Sequence, residues 1–159
     1  MNEVIPAISP GDVMAVRRLF EEYAAWLGID LGFQHFESEL SSLPGDYVAP
    51  RGALFLARAD GSPVGCIGLR PFSDSVGELK RLYVVPAARR GGHGRALVSA
   101  AIGAARRIGY GALVLDTLAS MRPAIALYES FGFGRTEPYY ANPLPDVLYF
   151  RMVLEPGHA

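Results

Sequence analysis

The chain has 159 residues, of which 50% are hydrophobic and 19% are charged, and its formal net charge is −1. This amount of apolar sequence suits one buried core and is too small for two, so we expect a single domain over residues 1–159. The near-neutral charge argues against a global positive field that would attract nucleic acid or an anionic membrane, so neither is an expected partner. The single cysteine, Cys66, excludes an internal disulfide and fits a reducing compartment.

The first residues of the chain do not resemble a secretory signal. The stretch MNEVIPAISP carries an acidic residue and no basic one. The sequence also lacks a run of about 18 apolar residues, the length that a membrane-spanning helix needs. We therefore expect a cytoplasmic protein.

Two helices are predicted at the start of the chain. The stretch SPGD resembles a helix start with Ser9 as the N-cap, and apolar residues then recur at helical spacing as far as Leu27. Gly28 is placed to end this helix. A shorter helix is predicted over residues 36–43, and a turn-rich connector, LPGDYVAPRG, follows it.

After residue 52 the hydrophobic period becomes that of strands. Two apolar runs flank Asp60 and Gly61, which is a strong signal for a β-hairpin, and VGELKRLYVVP predicts a third strand. An amphipathic helix is predicted over residues 94–108. GALVLDT then predicts a strand, SMRPAIALYESFGF a helix with Ser120 as its N-cap and Gly132 at its end, and DVLYFRMVL a last strand. This order favours a mixed α/β sheet with helices packed against it.

The segment RRGGHGRAL, residues 89–97, places three arginines and three glycines at a predicted helix start. Cations at this position oppose the positive end of the helix dipole, so an anionic ligand would explain them. Unpaired backbone N–H groups would contact the anion, and the glycines would let it approach closely. A solvated basic turn is the alternative. The P-loop and dinucleotide patterns are both absent, because no Lys-Ser or Lys-Thr pair opens the helix and Leu97 stands where a third glycine would be needed.

These residues resemble the acyl-CoA loop of the GNAT acetyltransferase superfamily, [R/Q]-x-x-G-x-[G/A], which residues 89–94 match in full. The resemblance continues through ELKRLYVVPAARRGGHGRAL, AIALYESFGF and YYANPLPDVLYFRMVL, and it covers roughly residues 52–154. It implies a single-domain α/β GNAT-like fold, in which a mixed, mostly antiparallel sheet contains a central splayed pair of parallel strands and is flanked by about four helices. Residues 1–50, where such proteins build their acceptor sites, resemble the family only in being helical.

The resemblance also implies an N-acetyltransferase that moves an acetyl group from acetyl-CoA directly to an amine acceptor, a small molecule or a peptide, in a ternary complex. The backbone amides of residues 90–95 would hold the CoA pyrophosphate, and the backbone of residues 82–84 would pair with the pantetheine arm. The Val84 amide would polarise the thioester carbonyl. The implied cofactor-binding residues are Leu82, Tyr83, Val84, Arg89, Arg90, Gly91, Gly92, His93, Gly94 and Arg95.

Two side chains are candidates for proton transfer under this resemblance. Glu78 lies eleven residues ahead of Arg89, where some family members carry a catalytic glutamate that takes a proton from the acceptor amine. Tyr128 stands where the family places the tyrosine that protonates the departing thiolate. The alternatives are that Glu78 is only a strand-end carboxylate and that Tyr128 only packs on a helix face.

Other residues give weaker signals. We interpret His93 as a spacer in the loop and Cys66 as a small buried hydrophobic residue. The three histidines lack metal-ligand spacing, so no metal site is expected. Asp116 could receive a cationic acceptor or cap the next turn. Candidates for lining an acceptor pocket are Trp26, Asp30, Phe33, Tyr139 and Tyr140.

The basic pairs Lys80-Arg81 and Arg106-Arg107 lack the interleaved aromatic residues of a nucleic-acid site, so we expect them on solvated faces. Two other functions stay open at this point: a non-catalytic module that binds acyl-CoA, and a transferase that uses a larger acyl-CoA. A homodimer formed through exposed strand edges is also compatible with the sequence.

Overall fold

One seven-stranded sheet and four α-helices make up the structure, a computed structural model that describes residues 1–28, 31–32 and 35–154. The strands are β1 (Asn2–Pro6), β2 (Ala53–Ala59), β3 (Ser62–Pro71), β4 (Val76–Val84), β5 (Ala112–Leu118), β6 (Gly134–Thr136) and β7 (Val147–Val153). The helices are α1 (Pro10–Leu27), α2 (Phe36–Ser42), α3 (His93–Ile108) and α4 (Arg122–Phe131). A short 3₁₀ turn, Pro86–Ala88, lies between β4 and α3.

The strands lie in the order β1-β2-β3-β4-β5-β7-β6. Neighbouring strands run antiparallel, apart from β4 and β5, which run parallel at the centre of the sheet. The prediction of a mixed, mostly antiparallel sheet with a central parallel pair is therefore confirmed.

The predicted start of the chain is wrong in one respect, because a strand precedes the first helix. Strand β1 pairs antiparallel with β2 at the edge of the sheet, with Asn2 opposite Ala59. The sequence signal for this strand is weak because it has only five residues and is held by pairing with residues 49 to 57 positions away. The N-cap of α4 also differs from the prediction. It is Met121 rather than Ser120, and Pro123 falls in the first turn.

Most local turn and cap signals act as predicted. Ser9 accepts a hydrogen bond from the backbone N–H of Asp12 at 3.2 Å, which caps α1. Gly28 and Gly132 end α1 and α4 with left-handed φ values of 66° and 107°. These conformations favour glycine, so the ends of both helices follow from the sequence.

Helices cover both faces of the sheet. Successive side chains of a strand point to opposite faces, so neighbouring residues of β2 enter two different cores. Leu54 and Leu56 pack with α1 and α2, whereas Phe55 and Ala57 pack with α3. The sheet is therefore the middle layer of the molecule.

The parallel pair is short, and this opens a cleft in the sheet. Strands β4 and β5 pair over only three residues, and the last pair is Glu78 opposite Val114. Beyond it, β4 continues to Val84 and β5 to Leu118, and the two strands no longer pair with each other. The two strands therefore diverge, as the predicted splayed pair requires.

A β-bulge bends β4 within the same stretch. Gly68 of β3 lies opposite Lys80 and Cys66 lies opposite Tyr83, so β4 carries one extra residue here. Arg81 sits at this point with a left-handed φ of 62°. The bulge turns the end of β4 toward the cleft.

Candidate active site

A narrow cavity of about 60 Å³ occupies the cleft between β4 and β5. Its walls include Leu82 from β4, Asp116 from β5, Tyr128 from α4 and Tyr23 from α1. Elements from both faces of the sheet therefore meet at this point.

Backbone polar groups at the end of β4 face the cleft. The N–H of Val85 donates to the carbonyl of Val64 at 2.8 Å, so these two residues form a hydrogen-bonded pair between β3 and β4. Hydrogen-bonded and non-bonded pairs alternate in an antiparallel ladder, so Val84 directs its N–H and carbonyl away from β3. Its carbonyl accepts a hydrogen bond from Nε of Arg89 at 3.0 Å. The Val84 N–H thus lies on the edge that β5 has left.

The glycine-rich loop leads from the 3₁₀ turn into α3. Arg90 and Gly92 have left-handed φ values of 75° and 81°, and Gly92 is the N-cap of α3. The first bond of the helix runs from the N–H of Ala96 to the carbonyl of Gly92 at 3.1 Å. The earlier N–H groups of this turn have no acceptor within the helix, and they carry the positive end of its dipole.

The side chains of the loop surround these N–H groups. The guanidinium of Arg89 stacks on the ring of Trp26 at 4.7 Å, and Nη2 of Arg95 donates to Oγ of Ser130 at 3.2 Å. Arg89, Arg90 and Arg95 are exposed, whereas His93 is buried. A Cβ atom on Gly91 would lie 2.9 Å from Nε2 of His93, so the imidazole packs against this glycine.

Tyr128 lies on α4 with its side chain buried against the cleft. Its ring packs edge-on against Phe133, with centroids 5.9 Å apart. The hydroxyl makes no hydrogen bond to the part of the chain that the structure describes. Burial raises the pKa of Tyr128 well above its usual value near 10, so the phenol keeps its proton at neutral pH.

A larger cavity of about 500 Å³ lies beside the cleft. It is enclosed by α2, by the connector at residues 43–47, and by side chains from β3, β4 and residues 139–140. Lys80 lines both cavities, so the cleft and the larger cavity adjoin at this side chain.

Glu78 faces the larger cavity and is 3% exposed. It lies opposite Arg70 across β3 and β4, and its Oε1 accepts a hydrogen bond from Nε of Arg70 at 2.9 Å. The Tyr139 hydroxyl donates to Oε2 at 2.6 Å, and Nζ of Lys80 lies 3.9 Å from the same oxygen. Both oxygens of this buried carboxylate therefore accept a hydrogen bond.

The prediction that Lys80 and Arg81 lie on a solvated face is wrong, because each is only 5% exposed. Arg81 forms a two-bond ion pair with Glu39 of α2, at 3.0 and 3.2 Å. Nζ of Lys80 lies 3.7 Å from Asp116, and burial lowers the pKa of this lysine from its usual value. Both residues are buried because a central strand has neighbours on both sides and on both faces. The carboxylates of Glu39 and Asp116 compensate the charges of Arg81 and Lys80.

Asp116 lines the cleft, and within the described part of the chain no hydrogen bond joins its side chain to the turn that follows β5. Its Oδ2 accepts hydrogen bonds from the Tyr140 hydroxyl and from Nδ2 of Asn142, the latter at 3.0 Å. Asp116 therefore ties the segment around residues 140–142 to the cleft.

The predicted pocket residues separate into two groups. Tyr139 and Tyr140 line the larger cavity. Trp26 instead packs on Tyr83 and Arg89, and Asp30 and Phe33 lie outside the described residues. Arg106 and Arg107 are exposed, as expected.

Cys66 is fully buried, and its thiol donates to the carbonyl of Arg81 at 3.5 Å. Burial raises the pKa of this thiol, so it remains protonated and unreactive. The interpretation of Cys66 as a buried small residue fits these surroundings.

Sequence reasoning missed Glu39, Tyr47 and Arg70, which all line the larger cavity. Arg70 ends a predicted strand, and Glu39 and Tyr47 belong to a helix and a connector whose position on the sheet no local pattern reports. The one usable signal was the antiparallel register of β3 and β4, which places Arg70 opposite Glu78.

Within residues 1–28, 31–32 and 35–154, no group of three or more histidine, cysteine, aspartate or glutamate side chains could hold a metal ion. No helix in this same part of the chain is long and apolar enough to cross a membrane.

Comparison with known proteins identifies the family. Residues 15–133 match the acetyltransferase (GNAT) family. An uncharacterized N-acetyltransferase from Schizosaccharomyces pombe is 41% identical over 145 residues, which cover 90% of this chain and 89% of the relative. A GNAT-family acetyltransferase from Staphylococcus aureus superposes with a TM-score of 0.80 at 18% identity, covering 98% of this chain and 100% of that one. The yncA protein from Salmonella typhimurium, solved with acetyl-CoA, gives a TM-score of 0.75 at 18% identity, covering 99% and 96%. The chain belongs to the GNAT family of acetyltransferases and is an acyltransferase with this family's mixed α/β fold.

Proposed function

We propose that this protein transfers an acetyl group from acetyl-CoA directly to an amine acceptor while both are bound. The observation that carries the proposal is that two cavities share Lys80 in their walls: a narrow cleft lined by Leu82 near the end of β4, and a larger cavity lined by Glu78. The acetyl-CoA held by yncA and the naming of relatives as N-acetyltransferases support this cofactor and this reaction.

The loop before α3 fits the diphosphate of CoA. Its unpaired N–H groups, together with the left-handed turn at Gly92, form a concave surface of donors. The amides of residues 90–95 would contact the diphosphate, with Arg89, Arg90 and Arg95 beside it. Arg89 would exchange its hydrogen bond to the Val84 carbonyl for a phosphate oxygen.

The end of β4 fits the pantetheine arm. Residues 82–84 border the gap left by β5, so their backbone would pair with the amides of the arm. Bound acetyl-CoA supplies an activated acetyl thioester at this point. The Val84 N–H would donate to its carbonyl oxygen as negative charge develops there, and removing such a donor typically costs about 3–4 kcal/mol.

Glu78 would act as the base. An alkyl amine with a pKa near 10.4 must lose a proton before attack, which costs about 4.6 kcal/mol at pH 7 at about 1.36 kcal/mol per pH unit. The hydrogen bonds from Arg70 and Tyr139 orient the carboxylate of Glu78 at the wall of the larger cavity. In this role Glu78 accepts the first proton, from the ammonium form of the acceptor. The amine nitrogen then forms a bond to the acetyl carbon as the bond from carbon to sulfur breaks, and its second proton replaces the one that Tyr128 gives to the thiolate.

Tyr128 would supply the proton that the departing thiolate needs. Its protonated phenol lines the cleft, and its hydroxyl is not engaged by the described residues. In this arrangement residues 52–154 bind the coenzyme, and residues 1–50 contribute α1 and α2 to the acceptor side.

The test is release of free thiol from acetyl-CoA by the purified protein across a panel of amines, together with calorimetry of acetyl-CoA binding. We expect heat of binding and amine-dependent thiol release. Binding without release for any amine would favour the non-catalytic module. A preference for butyryl-CoA or longer chains would contradict the choice of acetyl, which the small volume of the cleft supports.

A further inference from the structure

Arg70 lines the larger cavity with a guanidinium group that is only partly paired. The side chain is 27% exposed. Its Nε donates to Glu78, and Nη1 lies 3.8 Å from Oε1 of Glu39. Nη2 makes no hydrogen bond to the described part of the chain, so both of its N–H groups are available to a ligand. An N–H group of a charged guanidinium is a strong hydrogen-bond donor to a carboxylate oxygen.

The hydroxyl of Tyr47 is a second, independent indication that a ligand with an oxygen acceptor binds in this cavity. It lines the same cavity, and its hydroxyl is a buried polar atom without a hydrogen-bond partner among the described residues. Its ring lies against β3, because a Cβ atom on Gly68 would come within 2.5 Å of it. Burial raises the pKa of Tyr47, so the phenol is a neutral hydrogen-bond donor. Buried donors in folded proteins nearly always have an acceptor, and a bound ligand would provide one here.

The cations around the two cavities are paired with carboxylates, in the pairs Arg70 with Glu78, Arg81 with Glu39, and Lys80 with Asp116. Asp46 is a further carboxylate in the lining of the larger cavity. This cavity therefore presents carboxylates to a cationic amine and the guanidinium of Arg70 to a carboxylate, the two charged groups that a free amino acid carries.

We propose that the acceptor is a free amino acid, whose carboxylate binds Nη2 of Arg70 and the hydroxyl of Tyr47 while its amine faces Glu78. The inference rests on the proposed function and names its substrate class. A cavity of about 500 Å³ has room for one amino acid with its side chain, and Phe72 and Tyr139 provide apolar surface in its wall.

The test compares free amino acids with their carboxamides, which keep the shape and the amine but lack the negative charge. With saturating acetyl-CoA, kcat/KM is measured for each pair by thiol release. We expect the acids to be preferred by about 10- to 100-fold, the range for hydrogen bonds to a charged group. Arg70→Gln should remove most of this preference, and Tyr47→Phe should lower it by about 5-fold, whereas the exposed control Arg107→Gln should leave it unchanged.

Arg70 also holds Glu78, so a loss of activity shared by the acid and the carboxamide measures that positioning. The ratio between the two acceptors isolates the carboxylate contact. Carboxamides or peptide N-termini that react as well as free acids would overturn the inference and leave N-acetyltransfer standing. An Arg70→Gln variant with an unchanged ratio would do the same. If no amine of either kind releases thiol, the proposed function itself fails.

Discussion

Replacing Tyr128 by phenylalanine should separate turnover from folding stability. The ring contact with Phe133 is kept, and the hydroxyl has no hydrogen bond to lose among the described residues. The free energy of unfolding should therefore stay within about 0.5 kcal/mol of the wild-type value. If the hydroxyl protonates the leaving thiolate, kcat should fall by about 100-fold or more, which corresponds to about 2.7 kcal/mol in the activation barrier.

Tyr110 offers a matched control with the opposite expectation. It is buried, it lines neither cavity, and its hydroxyl donates to the carbonyl of Arg51 at 2.5 Å. Tyr110→Phe should lose about 0.5–1.5 kcal/mol of stability and keep the wild-type kcat.

Urea unfolding, calorimetry of acetyl-CoA binding and steady-state thiol release measure the three quantities for both variants. Acetyl-CoA affinity should not change in either. A Tyr128→Phe variant that turns over as fast as the wild type, or that loses activity only in proportion to its unfolded fraction, would refute the reasoning.

Three further measurements address other parts of the molecule. Glu78→Gln should lower kcat/KM by about 100-fold at pH 7, and the loss should shrink as the pH approaches the pKa of the acceptor amine; an equal loss at every pH would instead show a structural role. Trp26 is the only tryptophan, and Arg89 stacks on its ring at 4.7 Å. Acetyl-CoA binding should therefore change the tryptophan fluorescence, and Arg89→Ala should abolish that change. A wild-type titration with no change in fluorescence would contradict phosphate binding by Arg89. Burial raises the pKa of Tyr23 to about 12, so its contribution to stability is complete below about pH 10 and is lost as the pH rises toward 12. Between about pH 10 and pH 12, the urea midpoint of the wild type should fall with rising pH, and that of Tyr23→Phe should fall less. An equal pH dependence of the two midpoints would contradict the raised pKa of Tyr23.

Local sequence signals predicted the elements whose causes are local. The hairpin at residues 60–61 follows from two residues that accept left-handed conformations, with φ values of 50° at Asp60 and 84° at Gly61. The glycine-rich loop was recognisable because its residues are contiguous and the helix that they open is strongly amphipathic.

The larger cavity could not be predicted in the same way, because its parts come from distant segments. Arg81 is buried only because Glu39, 42 positions earlier, lies on a helix that packs over it. Nothing near Arg81 in the chain shows this pairing, and the adjacent basic residues resemble a solvated surface. Tyr47 and Arg70 line one cavity for the same long-range reason, so sequence reasoning identified the glycine-rich loop and left the larger cavity undefined.

The short ladder between β4 and β5 has a mechanical consequence. Three residue pairs between β4 and β5 provide the backbone pairing that joins strands β1–β4 to strands β5–β7. Side-chain contacts of α3 and α4 provide a further connection. A coenzyme arm that hydrogen-bonds to residues 82–84 would continue this backbone pairing along β4, much as an added strand would. Amide hydrogens at the end of β4 should therefore exchange with solvent quickly in the free protein and slowly with acetyl-CoA, so that the substrate itself stiffens the sheet before the acetyl group moves.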